Sequence, residues 1–135
     1  MLDLKKWIAK IMQMLMDISI DYVVQEGTSG SWYYRKWASG HLEQYYRGTP
    51  GAYTVGTARG SLYSGGNITY TYPIPFVGSY PKVVVGATLS TDAYVIWAQE
   101  KGLSLTTITV RIVAGASVAQ NTNYEKHIHA IGRWK

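Results

Sequence analysis

Apolar residues recur near the start of the chain at Leu4, Ile8, Ile11, Leu15, Ile18 and Tyr22. Spacings of 4, 3, 4, 3 and 4 are the a/d alternation of a coiled coil, and they predict an oligomerisation helix over residues 1–21. Ile8 and Leu15 then occupy a, and Ile11 and Ile18 occupy d. β-Branched d positions disfavour a parallel dimer and favour three or four strands. Met12, Met14 and Met16 widen the apolar surface beyond a narrow seam. A helix of roughly 18 residues would be about 27 Å long and marginal without partners. Packing on the chain's own β-region is the other arrangement that such an amphipathic helix allows. Lys10, Gln13 and Asp17 interrupt the apolar run, which argues against both a signal peptide and a membrane span.

From Asp21 onward the period shortens to two. Trp32-Tyr33-Tyr34-Arg35-Lys36-Trp37 is strand-forming, Ala38-Ser39-Gly40 supplies a turn, and His41 to Arg47 returns as a second strand. In this hairpin Trp32, Tyr34 and Lys36 share one face and Tyr33, Arg35 and Trp37 the other, so both faces carry apolar bulk. Gly27-Thr28-Ser29-Gly30 reads as a loop. Tyr53 to Thr57, Leu62-Tyr63 and Ile68 to Tyr72 are further strand candidates, the last with Ile68, Tyr70 and Tyr72 on one face. Pro73 and Pro75 mark a strand end or an edge. Lys82 to Leu89, Tyr94 to Gln99 and Tyr124 to Trp134 complete the set. Between Leu103-Leu105 and Ile108-Val110-Ile112 the apolar parity changes, which predicts a bulge or break near Thr106-Thr107. The fold class is mainly β: an antiparallel β-sandwich head over residues 22–135.

Composition narrows the function. A chain of 135 residues has room for one main core. With no cysteine it has neither disulfides nor thiol chemistry. Thirteen basic against eight acidic side chains give a net charge of +5, which favours anionic surfaces. The basic residues are scattered rather than clustered, so nucleic acid is not an expected partner. Twelve tyrosines and five tryptophans stand against one phenylalanine. Tyr and Trp combine a large rigid face with a polar tip and suit binding surfaces, although their strand preference alone also accounts for many of them.

Catalytic chemistry is not evident. Glu43, Asp92, Glu100 and Glu125 are the acids that could converge in the β-region, and they read as solvated groups rather than a glycosidase pair. A phosphate loop and a zinc-protease signature are both missing. No enzyme activity and no cofactor are expected. His127-Ile128-His129 is the one spacing with metal potential, since i and i+2 on a strand share a face and a three-fold axis would bring six imidazoles together. Ordinary hydrogen-bonded histidines are the simpler expectation.

Trp32 to Glu43, Tyr72-Pro73-Ile74-Pro75-Phe76 and Ala130-Ile131-Gly132-Arg133-Trp134 together resemble the C-terminal domain of bacteriophage tail-fibre and related receptor-binding proteins. In that family an aromatic-Arg-Lys-Trp-x-x-Gly-x-x-Glu segment opens a β-sandwich knob and an Ala-Ile-Gly-x-Trp-like ending closes it. After Glu43 this chain departs from the pattern, with Gln44-Tyr45-Tyr46-Arg47-Gly48 where the family places Trp-Gly. The matched residues Trp32, Arg35, Trp37, Gly40, Glu43, Gly132 and Trp134 look like framework, with Trp37 and Trp134 as core anchors and Arg35 with Glu43 as a cross-hairpin pair. Phage needle and long-fibre proteins also use His-x-His sets as metal ligands.

The resemblance implies a homotrimer, made in the bacterial cytoplasm and located in a phage tail. Such a protein would attach to a bacterial surface glycan or wall polymer without inserting into a membrane. Tyr45, Tyr46, Tyr53 and Tyr63, in the glycine-rich half, are the expected ligand-binding residues, placed on loops. Two alternatives remain: a collar or baseplate component that binds other virion proteins, and a non-catalytic cell-wall carbohydrate-binding module. A Met1 start fits a full product, which weighs against the second of these.

Overall fold

The computed structural model describes residues 3–17, 21–48, 53–89, 95–118 and 124–135. Among these residues one helix, α1 (Leu4–Asp17), precedes nine strands: β1 (Val23–Ser29), β2 (Trp32–Trp37), β3 (His41–Gly48), β4 (Val55–Arg59), β5 (Leu62–Thr71), β6 (Lys82–Leu89), β7 (Ile96–Leu103), β8 (Thr107–Ala114) and β9 (Tyr124–Arg133). They form a five-stranded sheet in the order β1-β2-β3-β9-β6 and a four-stranded sheet in the order β4-β5-β8-β7. All neighbours are antiparallel.

The two sheets enclose the core between them, as a sandwich requires. Trp32, Leu42, Ile128 and Ala130 from the first sheet meet Tyr70, Ile108 and Val110 from the second, and Tyr72 and Phe76 from the segment after β5 close one end. A second cluster joins Val55, Ile112, Ala114, Val118 and Tyr124. The alternation read at Ile68, Tyr70 and Tyr72 points into the core. Trp134 packs against the same cluster.

Two local expectations change, and a third resolves into the break it allowed. The segment around Gly27 is not a loop but the edge strand β1, paired with β2 through Gly27↔Tyr34. A side chain at Gly27 would collide with the Tyr34 hydroxyl at 2.8 Å, so the glycine is there to let the ring lie across it. The parity change near Thr106-Thr107 is a hairpin turn between β7 and β8. Its Ser104 hydroxyl accepts from the backbone N–H groups of Thr106 at 3.2 Å and Thr107 at 2.9 Å. Leu62-Tyr63 and Ile68 to Tyr72 are parts of one strand, β5, joined through a register shift at Gly65 to Ile68, where Gly66 has φ +63°.

Asp3 caps α1, accepting from the backbone of Lys5 at 3.1 Å. The seam residues Leu4, Ile8, Ile11 and Leu15 are exposed, as are Trp7, Met12 and Met14. Ile18 and Asp92 lie outside the described residues. No helix among the described residues is long and apolar enough to cross a membrane.

One buried charge stands out. Lys126 on β9 is 0 % exposed. Its Nζ donates to the carbonyl of Gly66 at 2.5 Å and lies 5.3 Å from the centre of the Tyr53 ring. Burial pulls its pKa down to about 8, from an ordinary 10.5. Between these values the unfolded chain holds a proton that the folded chain has released, so stability rises with pH across that window. The expected gain is up to about 3 kcal/mol, less what ionising tyrosines take away. Near pH 10 the trend reverses, because Tyr70 and Tyr72 have pKa values raised by burial while tyrosines of the unfolded chain ionise. Urea midpoints measured between pH 7.5 and 9.5 should climb for the native protein and stay flat for Lys126→Met.

Candidate functional site

Strand alternation sends Leu42, Gln44 and Tyr46 of β3 inward and His41, Glu43, Tyr45 and Arg47 outward. On β9, Tyr124, Lys126, Ile128 and Ala130 face the core and Glu125, His127 and His129 face out. Because β3 and β9 are neighbours, Tyr45 stands opposite His129. On either side the register continues to Tyr33 and Val84.

The result is a row of rings across the outer face of the five-stranded sheet. Tyr33 and Tyr45 are 6.2 Å apart and tilted, and Tyr45 and His129 are stacked at 4.3 Å and 22°. Beside the row is a groove of about 450 Å³, with Tyr33, Tyr45, His127, His129 and Val84 among its walls. Gly86 faces His127 across the β6–β9 pair and leaves the groove open there.

Polar groups fix these rings. Tyr45 donates to Glu43 at 2.7 Å, and Tyr33 to Glu26 at 2.7 Å. Arg35 reaches the Tyr33 hydroxyl at 2.8 Å and Glu26 at 3.3 Å. Burial and the Glu43 carboxylate push the Tyr45 phenol up to about 12, so it stays a hydrogen-bond donor at neutral pH. Burial alone would raise the Glu43 pKa, but hydrogen bonds from Tyr45 and His41 hold it below the ordinary carboxylate value. Arg47 pairs with Glu125 at 2.5 Å, and His127 lies 3.3 Å from Glu125 and 3.0 Å from the Thr88 hydroxyl. By contrast, Nε2 of His129 is buried and has no hydrogen-bond partner among the described residues.

The residues expected from the sequence are distributed unevenly. Tyr45 belongs to the row of rings. Tyr46 also borders the groove, but its ring turns inward onto Trp32 at 5.3 Å and Tyr70 at 4.6 Å. Tyr53 and Tyr63 pack against the second core cluster and are not among the groove's walls. Tyr45, Tyr46 and Tyr63 lie on strands rather than loops. Arg35 and Glu43 are register partners, yet the Arg35 ion pair runs to Glu26 on β1, the strand that the sequence hides.

Trp37 is not a core anchor. It lies on the outer face against His41 at 4.9 Å, and only its carbonyl reaches inward, accepting from the Trp134 indole at 2.9 Å. Gly40 takes φ +98° in the hairpin turn. His127 and His129 do share a face, but no group of three metal-binding side chains forms within the chain among the described residues. Tyr33 and Val84 were missed; the β2-β3 register would have pointed to Tyr33 as the partner of Tyr45.

No protein-family model matches the sequence, and no curated protein matches it either. Two solved structures share its fold. A P. aeruginosa R1 pyocin fibre comprising C-terminal residues aligns with a TM-score of 0.56 and 15% identity, over 84% of this chain and 28% of that one. An N-truncated R2-type pyocin tail fibre aligns with a TM-score of 0.56 and 14% identity, over 90% of this chain and 41% of that one. The chain therefore spans less than half the length of either fibre. At such identities the likeness is one of fold, and in fold this chain is a tail-fibre-like antiparallel β-sandwich.

Proposed function

We propose that the chain is the attachment module of a phage or prophage-derived tail and binds a bacterial surface glycan non-covalently through the heads of a homotrimer. The observation that carries this is the row Tyr33, Tyr45 and His129, its two tyrosines held by hydrogen bonds, on the outer face of a tail-fibre-like sandwich. Aromatic faces stack on the apolar side of sugar rings. The unpartnered His129 nitrogen adds a site for a sugar hydroxyl once Tyr45 shifts. The exposed seam of α1 supports self-association, and its isoleucines at d favour a trimer.

Tyr45→Ala should lower binding of labelled protein to host cells about tenfold, equivalent to about 1.4 kcal/mol, with the thermal midpoint nearly unchanged. Native protein that binds no bacterial surface, including its own host's, would refute attachment. Val84, 71 % exposed at the end of the row, favours a second reading, in which the same face packs against another virion protein. Co-purification with tail proteins in the absence of cell binding would select that reading.

A further inference from the structure

The two sheets carry different charges on their outer faces. Glu26, Glu43 and Glu125, the carboxylates within the strands of the five-stranded sheet, all lie on its outer face beside Arg35 and Arg47. In the four-stranded sheet the one strand carboxylate, Glu100, stands opposite the buried Val110 and so projects to the inner side. Its outer face keeps Arg59 and Arg111 without an acidic partner among the described residues.

These two arginines border a single pocket of about 230 Å³, together with Ser64, Trp97 and Gln99. Arg59 Nε donates to the Ser64 hydroxyl at 3.3 Å, and Ser64 is only 4 % exposed. Arg111 Nε donates to Gln99 Oε1 at 2.7 Å. Each bond fixes the inner nitrogen of a guanidinium and leaves its terminal nitrogens with no acceptor among the described residues. Two such forks match the oxygens of a carboxylate or phosphate. Trp97 is 41 % exposed and offers a flat indole face beside them. The volume is below the roughly 300–1,000 Å³ of drug-sized sites, which suits one sugar unit with its charged group. Further along the same strands a second depression is lined by Lys101, Thr69, Thr109 and Asn67, which continues the polar, cationic strip.

We infer that this pocket binds an anionic saccharide unit, with Arg59 and Arg111 gripping its carboxylate or phosphate ester and Trp97 stacking on its ring. The inference deepens the attachment reading and rests on it for biological meaning, but it concerns a different face and is tested without cells. Calorimetric titration of the full chain would use trigalacturonate for the carboxylate, mannotriose phosphate for the phosphate, and maltotriose as the neutral control. At least one anionic probe should bind tenfold or more tighter than maltotriose, and the better of the two identifies the anion.

Arg59→Lys and Arg111→Lys retain the charge but lose the fork. Each should weaken that binding about tenfold with little change in thermal midpoint, and Trp97→Ala should do the same. Raising salt should weaken it further. Equal affinity for maltotriose would overturn the inference. So would indifference to both arginine variants, or tighter binding of oligothymidylate than of either saccharide, which would identify a nucleic-acid surface instead. Failure of cell binding with retained saccharide binding would sink the attachment reading alone.

Discussion

Ile8→Asp combined with Ile11→Asp is expected to turn a trimer into a monomer and to weaken binding to cells by about two to four orders of magnitude. α1 has 14 residues and so is about 21 Å long, near the lower limit for a helix in water. Its apolar seam is exposed rather than packed on the sheets, so burial must come from elsewhere. In the proposed trimer two further copies supply it. Aspartate at both positions would bring charges together at the axis of such a bundle. Among the described residues neither core cluster takes a member from α1, so thermal unfolding of the sandwich should persist in the variant. Light scattering gives the answer: three times 15.1 kDa for the native protein and one chain mass for the variant. A native monomer would remove the trimer, and with it the avidity that makes weak single sites useful.

The second large effect concerns the meeting of Phe76 and Gly132. Phe76, the single phenylalanine, is 1 % exposed and sits edge-on to Tyr72 at 4.9 Å and 88°. Phe76→Ala should cost about 3–5 kcal/mol. That is a large share of the roughly 5–15 kcal/mol that holds a typical domain folded. Gly132 belongs to the same contact from the other side. A Cβ there would stand 2.6 Å from Phe76 Cδ1, so Gly132→Ala should cost about 1–3 kcal/mol by overpacking. Adding Phe76→Leu to Gly132→Ala should recover part of that loss, because the narrower side chain vacates the ring edge. Urea midpoints of the three variants test the contact. A neutral Gly132→Ala would show that the glycine is not set by Phe76.

What the sequence made legible follows from where its signals are local. The β2–β3 hairpin could be read because Ala38-Ser39-Gly40 separates two aromatic runs, and β6 because Lys82 to Leu89 is rich in valine. β1 was hidden, since an edge strand exposed on both sides has no alternation to show, and its Gly27 imitates a loop. Alternation also divided β2 into two faces without saying which one meets the core. The resemblance places Trp37 in the interior, although Trp32 occupies that role. The groove was the least legible part. Its row of rings exists only because β9 lies between β3 and β6, a neighbour relation set by long-range pairing rather than by any local motif.

That position of β9 also governs the order of events during synthesis. The place between β3 and β6 in the five-stranded sheet is filled by the last of the described strands, so neither finds its shared partner until translation has passed Arg133. α1 precedes every strand and takes no part in their pairing. Folding of the head therefore waits for β9 and depends on pairings between distant segments, which generally form slowly. Until β9 arrives, the unpaired edges of β3 and β6 are the places where nascent chains are most exposed to mispairing.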